Sequence, residues 1–369
     1  MADNVFKTTP IVYAVGDEYQ VFVPVNVPTV MWVSVNGKNY YDHSNGILRS
    51  DVTVHKMTVP MQELDRAGEY TVCYREMIER KPYFSDTSDI FECKFEFKAV
   101  KGGKLRAFHI SDAHNLVEPP IKSAENYIKR NGELDFLILN GDIPNHSGDI
   151  KNFDAVHEIA SRITKGNIPV VFSRGNHDTR GIFAEKFADY TPTRNGNSYF
   201  SFRLGSLWGL VIDCGEDKRD RNEEYGNTIC CEAYRREQAE YIKSVIKSGE
   251  HNKDGIERRI VVSHIPFTRE REPLFDIEGE LYTEWADLLK KEVKPELMIC
   301  GHEHKLELVM PGEEKDKYGH PCPVLIGAKP TPDDGEKTGF IGCGIEFDNG
   351  NIKISFISDT DEVAGEYNI

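Results

Sequence analysis

The 369-residue chain lacks any apolar run of the roughly eighteen residues that a membrane-spanning helix requires. Its eight cysteines form no CxxC pair and keep no regular spacing, which argues against both a thiolate zinc site and a disulfide framework. Cys73 and Cys93 could face each other across two strands, but they read as buried free thiols, and the adjacent Cys230 and Cys231 carry no signal. Positive charge is also short: 45 Lys and Arg stand against 61 Asp and Glu, a net −16, which weighs against duplex nucleic acid as a partner. It does not exclude a phosphate substrate, because bound metal ions reverse the local sign. The opening residues Met1 to Lys7 lack a basic start, an apolar core and a small-residue cleavage site, so the expected location is cytoplasmic, with no membrane partner. No internal repeat and no low-complexity segment occurs.

What remains is an ordinary globular composition, 39% hydrophobic and 29% charged, in a chain long enough for two domains. Residues 1–101 read as all-β. Phe91 to Lys98 alternates apolar and charged side chains, and Asn36-Gly37 after Val30 to Val35 is a tight hairpin signal. Tyr70, six residues after Leu64 on the strand Gly68 to Tyr74, resembles the tyrosine corner of immunoglobulin-like sandwiches, and no helical period is visible before residue 101. Lys101 to Lys104 is a plausible linker. Beyond it Leu105 to Ile110, Phe136 to Leu139 and Ile168 to Phe172 read as strands, separated by helical stretches near 121–130 and 153–163. That order predicts a parallel α/β sheet. Further strands are expected at 207–213, 260–263 and 297–300, helices at 233–247 and 282–293, and a terminal hairpin over 340–358 turning at Asp348 to Asn351.

Metal-ligand residue types gather after these apolar runs. Asp112 and His114 follow the first core strand, Gly141-Asp142 the second, and Arg174-Gly175-Asn176-His177-Asp178 the third. His264 ends a later strand, and Gly301-His302-Glu303-His304 ends another. An open α/β sheet collects its functional loops at the carboxyl ends of its strands, so the five clusters should converge. Carboxylate oxygens and imidazole nitrogens suit zinc, manganese or iron. Each cluster alone has a plainer reading: a chance Asp-x-His, a Gly-Asp turn, a capping loop, a structural histidine, a surface turn. The order of all five after strands is what makes them informative.

That order of DxH, GD, GNHD, H and GHxH resembles the calcineurin-like metallophosphoesterase superfamily over about residues 104–358. The resemblance implies a four-layer αββα catalytic domain over 102–369, preceded here by a small fibronectin- or immunoglobulin-like β-sandwich, as in purple acid phosphatases. It implies a dinuclear centre of manganese, iron or zinc, with Asp112, His114 and His304 on one ion and Asn176, His264 and His302 on the other. Asp142 would bridge, and His177 would serve the leaving oxygen. Asp178 is expected either to orient His177 or to cap a helix.

Asn145, His146 and Arg180 are candidate substrate contacts; Arg174, like Arg180, could fork onto phosphate oxygens, but it reads rather as a surface ion pair. Purple acid phosphatases carry a tyrosine three residues beyond the bridging aspartate, where this chain has Asn145, so no tyrosinate-bound ferric ion is expected. The protein serine/threonine phosphatases carry an arginine after the bridge, where this chain reads Ile143-Pro144-Asn145-His146. The expected reaction is hydrolysis of a small phosphomonoester or phosphodiester by in-line attack of a hydroxide held between the metals. The rival readings are a catalytically dead scaffold that binds a protein partner, and a carbohydrate- or cell-surface-binding module joined to a repair or storage domain. The stretch 214–232 is either a lid or an insertion, and the N-terminal region could cover the entrance or make a homo-oligomer. Histidines 43, 55, 109, 157, 251 and 320 are given no role, and Asp333-Asp334 and Glu313 to Asp316 are read as solvated loops.

Overall fold

The computed structural model describes residues 5–332 and 335–369; Asp333 and Asp334 lie outside them. Leu105–Ile110, Phe136–Asn140 and Pro169–Ser173 pair in parallel, as the alternation of strand and helix predicts. They sit in a 10-stranded sheet that continues on one side through Gly339–Asp348, Asn351–Ser358 and Val363–Asn368. The predicted terminal hairpin is present, with Asn349 and Gly350 in the left-handed conformation its tight turn needs. A second, 6-stranded sheet runs Phe200–Leu204, Leu207–Ile212, Arg258–Ser263, Leu297–Cys300, Val324–Ile326, Glu307–Val309.

Strand period explains how the sheets stack. Successive side chains point to opposite faces. Ile260, Val262, Leu297 and Ile299 enter the core shared with the first sheet, whereas Val261, Met298 and Cys300 pack with the second sheet's helices. Those helices are Cys231–Ser248 and Gly279–Leu288; Glu118–Asn131 and Phe153–Thr164 cover the first sheet. The result is the expected α/β fold of four layers, helix, sheet, sheet, helix.

The N-terminal region is β-rich and forms two packed layers, with Thr29–Val35, Lys38–Tyr41, Glu69–Glu79 and Phe91–Glu96 in a separate sheet. Its other layer, Ile11–Val15, Glu18–Pro24 and Val54–Pro60, is the edge of the 10-stranded sheet itself: Val12 and Tyr13 pair in parallel with Pro169 and Val170. Strand pairing thus crosses the linker at 101–104, a long-range contact that no local pattern announces. Tyr70 is not a tyrosine corner. Its hydroxyl donates to the Gly166 carbonyl at 2.9 Å, on the loop entering the third core strand, because that loop lies closer than its own upstream chain. A short helix, Met61–Ala67, also stands where none was expected. With only Met61 and Leu64 buried it is too brief to show a period. Cys73 and Cys93 are free and one register step apart, since Cys73 faces Glu92.

Candidate metal centre

All five ligand-bearing loops meet at one place, but they come from two sheets. Asp112, Asp142 and Asn176 follow strands of the 10-stranded sheet, while His264 and His302 follow Arg258–Ser263 and Leu297–Cys300 of the other. The clusters converge as expected, but not at the strand ends of a single open sheet: the site lies where the carboxyl ends of two stacked sheets face each other.

The loops are bent tightly. Asp112, His114, Asp142, His302 and His304 all have positive φ, between 47° and 69°. Each such residue costs about 1 kcal/mol and persists only where its surroundings fix it. Gly141 supplies one fixed point, because a Cβ there would lie 2.6 Å from Gly175 and from His264 Nδ1. Gly175 supplies another, since its Cβ would lie 2.2 Å from Asp142 Oδ1. Both glycines therefore let two loops touch.

Three sets of donor atoms lie within 4.8 Å of one another: Asp112, His114 and His304; Asp142, His264 and His302; and His114, Asp142 and His177. Asn176 joins the second through its Oδ1, 2.9 Å from His302 Nδ1. His264 is oriented by its Nδ1–H, which donates to the Asn140 carbonyl at 2.7 Å and leaves Nε2 3.2 Å from Asp142 Oδ2. His264 Nε2 and Asp112 Oδ1 are buried without a hydrogen-bond partner. Buried polar atoms are rarely left so, and these two converge with Asp142 where a cation would satisfy them. Burial alone would depress the His264 imidazole, but the carboxylates of Asp142 and Asp112 outweigh it and push it up to about 10. Burial lowers His114 to about 4 and, with Arg271 alongside, holds His302 well below its ordinary value. His114 and His302 are thus neutral, the donor form that divalent metals take, whereas His264 would release its Nε2 proton when a metal binds.

His177 stands at the edge of this cluster, its Nε2 3.9 Å from Asp142 Oδ2. Its Nδ1–H donates to the Asn145 carbonyl at 2.7 Å, and its Nε2 accepts from Arg180 Nη1 at 3.1 Å. Unlike His264 Nε2, that nitrogen has a hydrogen-bond partner in the protein.

Four expectations need correction. Asp178 does not hold His177; its carboxylate accepts from the Gly175 and Asp142 amides at 2.6 and 3.1 Å, because neighbours in the tight turn His177–Thr179 project apart. Nor does it cap that turn, which Asn176 precedes. Burial and the nearby charge of Asp142 push Asp178 up to about 7. Arg174 is no surface pair: its guanidinium lies 2.6 Å from the fully buried Asp213 and stacks between Phe187 and Tyr234. Breaking such a pair on one side costs about 3–5 kcal/mol. Asp316 is not solvated, since its carboxylate is 6% exposed and accepts from the Gly319 and His320 amides.

Asn145 and His146 are exposed. Asn145 meets His177 through its backbone, and His146 Nδ1 accepts from the Gly148 amide at 2.9 Å within its own loop. Arg180 is held by two parallel bonds to Glu216 at 2.8 and 2.9 Å. Glu216 and Asp217 belong to the stretch 214–232, which packs against the site: the Tyr225 hydroxyl lies 3.1 Å from each carboxylate and shares its one proton between them. Sequence reasoning missed Glu216, Asp217 and Arg271, because aperiodic charged loops carry no signal for where they land. The remaining histidines lie outside the donor sets among the described residues. His109, pushed down to about 3 by burial, bonds Asn140.

The sequence matches the calcineurin-like phosphoesterase family over residues 105–306, more than half of the chain. The chain belongs to the calcineurin-like phosphoesterase family. It is a phosphoesterase, and the convergent donors fit the dinuclear metal centre of such enzymes. No curated protein sequence matches the chain. Among solved structures, the purple acid phosphatase PPD1 of yellow lupin seeds is similar with a TM-score of 0.60 and 13% identity, over 98% of this chain and 73% of that one. PhoD is similar with a TM-score of 0.57 and 10% identity, over 99% of this chain and 89% of that one. At such identities the likeness is one of fold, and it takes in the N-terminal region as well as the calcineurin-like part.

Proposed function

We propose that this phosphoesterase hydrolyses small phosphate mono- or diesters with two metal ions, one held by Asp112, His114 and His304, the other by Asn176, His264 and His302, with Asp142 shared. The observation that carries the reading is the pair of unpartnered buried atoms, Asp112 Oδ1 and His264 Nε2, facing Asp142 between two donor sets. Bound there, the ions would neutralise phosphoryl oxygens and lower the pKa of water. The chain's own residues do the rest. Asp178 fixes the Asp142 and Gly175 backbones, and Asn140 fixes the tautomer of His264. His177, oriented by the Asn145 carbonyl, serves the leaving oxygen through Nε2 once substrate draws off the single N–H that Arg180 gives it and Nε2 has taken up a proton from water to pass on. Glu216 keeps Arg180 in place through the other two contacts, so the guanidinium stays at the rim to meet an anion.

The full ligand set weighs against the scaffold reading. The test is elemental analysis followed by assay of p-nitrophenyl phosphate and bis-p-nitrophenyl phosphate after reconstitution with manganese, iron or zinc. Turnover of either ester with about two metals per chain is expected; a metal-loaded protein inert on both would sink the proposal. With Asn145 rather than tyrosine beyond Asp142, the purified protein is expected to be colourless, and a strong visible charge-transfer band would contradict that.

A further inference from the structure

Arg271 has no part in the reaction above. It lies on the loop after His264, its side chain 5% exposed, and its guanidinium sits 5.6 Å from the centre of the Phe275 ring. One N–H, on Nη2, donates to His302 Nε2 at 2.7 Å. Nε and Nη1 are buried and have no hydrogen-bond partner, although Nε lies within ion-pair distance of Glu303 Oε1, at 3.7 Å. The neighbouring cations differ. Arg269 is held by Glu303 and Glu307, Lys305 by Glu303, Arg180 by Glu216 and Arg174 by Asp213. Nε of Arg269 and of Arg174 is likewise unpartnered, but each of those guanidiniums has a carboxylate within 3.1 Å, whereas Glu303 stands 3.7 Å from Arg271, and Arg271 lines a pocket of about 570 Å³ together with His302 and Phe275.

We propose that this pocket is a recognition subsite for a second anionic group, a carboxylate or a phosphate, carried by the substrate. The inference rests on the phosphoesterase reading of the adjacent centre. The His302 ring decides which group Arg271 meets. Nδ1 faces Asn176 and the donor cluster, while Nε2 faces Arg271, so the imidazole stands between the guanidinium and the reacting phosphoryl. Arg271 therefore reaches a group further along the substrate. Use of Nδ1 as a ligand also forces the ring proton onto Nε2. A protonated Nε2 cannot accept from Arg271, and its acceptor becomes Asp217, whose Oδ2 lies 3.8 Å away. Metal loading then leaves Nη1 and Nη2 available, while Nε stays beside Glu303, and two terminal N–H groups side by side suit paired anionic oxygens. Phe275 supplies an apolar wall for the part of the substrate between its two anions; of the four carboxylates that line the pocket, Glu270 and Glu272 are exposed, where water screens them, Glu303 is paired with Arg269 and Lys305, and Asp217 meets the Tyr225 hydroxyl.

The test compares inert phosphonates by titration calorimetry on the manganese-reconstituted protein: phenylphosphonate, 4-carboxyphenylphosphonate and 1,4-benzenediphosphonate. At least one of the two probes with a second anionic group should bind roughly tenfold more tightly than phenylphosphonate, the gain typical of a charged hydrogen bond. In Arg271→Gln that ratio should fall to near one, with the metal content measured by elemental analysis still matching the parent. Absence of any preference in the parent would overturn the subsite, and so would a ratio that survives in Arg271→Gln. Equal weakening of all three phosphonates would instead tie Arg271 to the phosphoryl centre and also overturn it. Because phosphonates are not turned over, these outcomes are read separately from any failure to hydrolyse esters.

Discussion

Two fully buried histidines beside carboxylates, one in the N-terminal region and one at the metal centre, differ in a single respect. His55 is saturated: Nδ1 meets Asp42 at 2.7 Å and Nε2 meets Thr29 Oγ1 at 2.9 Å. His264 is bonded on one nitrogen only, and its Nε2 faces two carboxylates with nothing to satisfy it. The same contrast extends to their surroundings. At the metal centre, left-handed residues and unpartnered polar atoms collect within a few loops, and the structure tolerates both. A histidine whose bonds are complete holds a fold together, whereas one left open beside carboxylates is a place for a cation.

The most severe way to test this difference is at the shared carboxylate. Asp142→Asn is expected to deplete both metal positions and to cut p-nitrophenyl phosphate turnover by more than about a thousandfold. Full metal occupancy by elemental analysis would deny Asp142 its bridging role. His177→Ala should leave both metals bound while lowering turnover by roughly a hundredfold or more, most of all on esters with poor leaving groups. If the loss were the same for good and poor leaving groups, His177 would not be handling the leaving oxygen.

The histidine pair itself gives the next effect. His264→Gln should lose one metal per chain. His55→Gln should keep both metals and lower stability by about 1–3 kcal/mol in urea unfolding, as broken buried hydrogen bonds do. Metal loss from the His55 variant would erase the distinction between the two regions.

The smallest effect is a pH dependence far from the centre. Burial lowers Lys56 to about 8, with Asp189 only partly opposing. Its folded value then lies below the unfolded value of 10.5, so the unfolded chain holds more protons between them. The Lys56 contribution to stability should therefore improve as pH rises from about 8 toward 10.5. Urea midpoints across that window should show an increment that Lys56→Met removes; an unchanged slope in that variant would rule it out.

Much of the fold was legible where periodicity was strong. The alternating strands and the helices at 118–131, 153–164 and 231–248 follow from repeats of two and of 3.6 residues, which burial on one face imposes. Met61–Ala67 escaped because seven residues hold too few turns to repeat. The direction of Asp178 escaped for another reason, since a turn's dihedrals and not its composition decide which of two adjacent side chains faces inward.

The sequence by itself determined which residue types stand at the ends of which strands, and their order was sufficient to name a family. Those are local facts, set by residue identity and by the period that each strand must keep. Only the tertiary structure decided that the five loops come from two stacked sheets, that Ile11–Val15 joins the catalytic sheet beside Pro169–Ser173, and that Arg180, Glu216 and Arg271 surround the centre. Strand partners distant in sequence and side chains on aperiodic loops are fixed by packing across the whole molecule, where no short stretch of sequence carries the information.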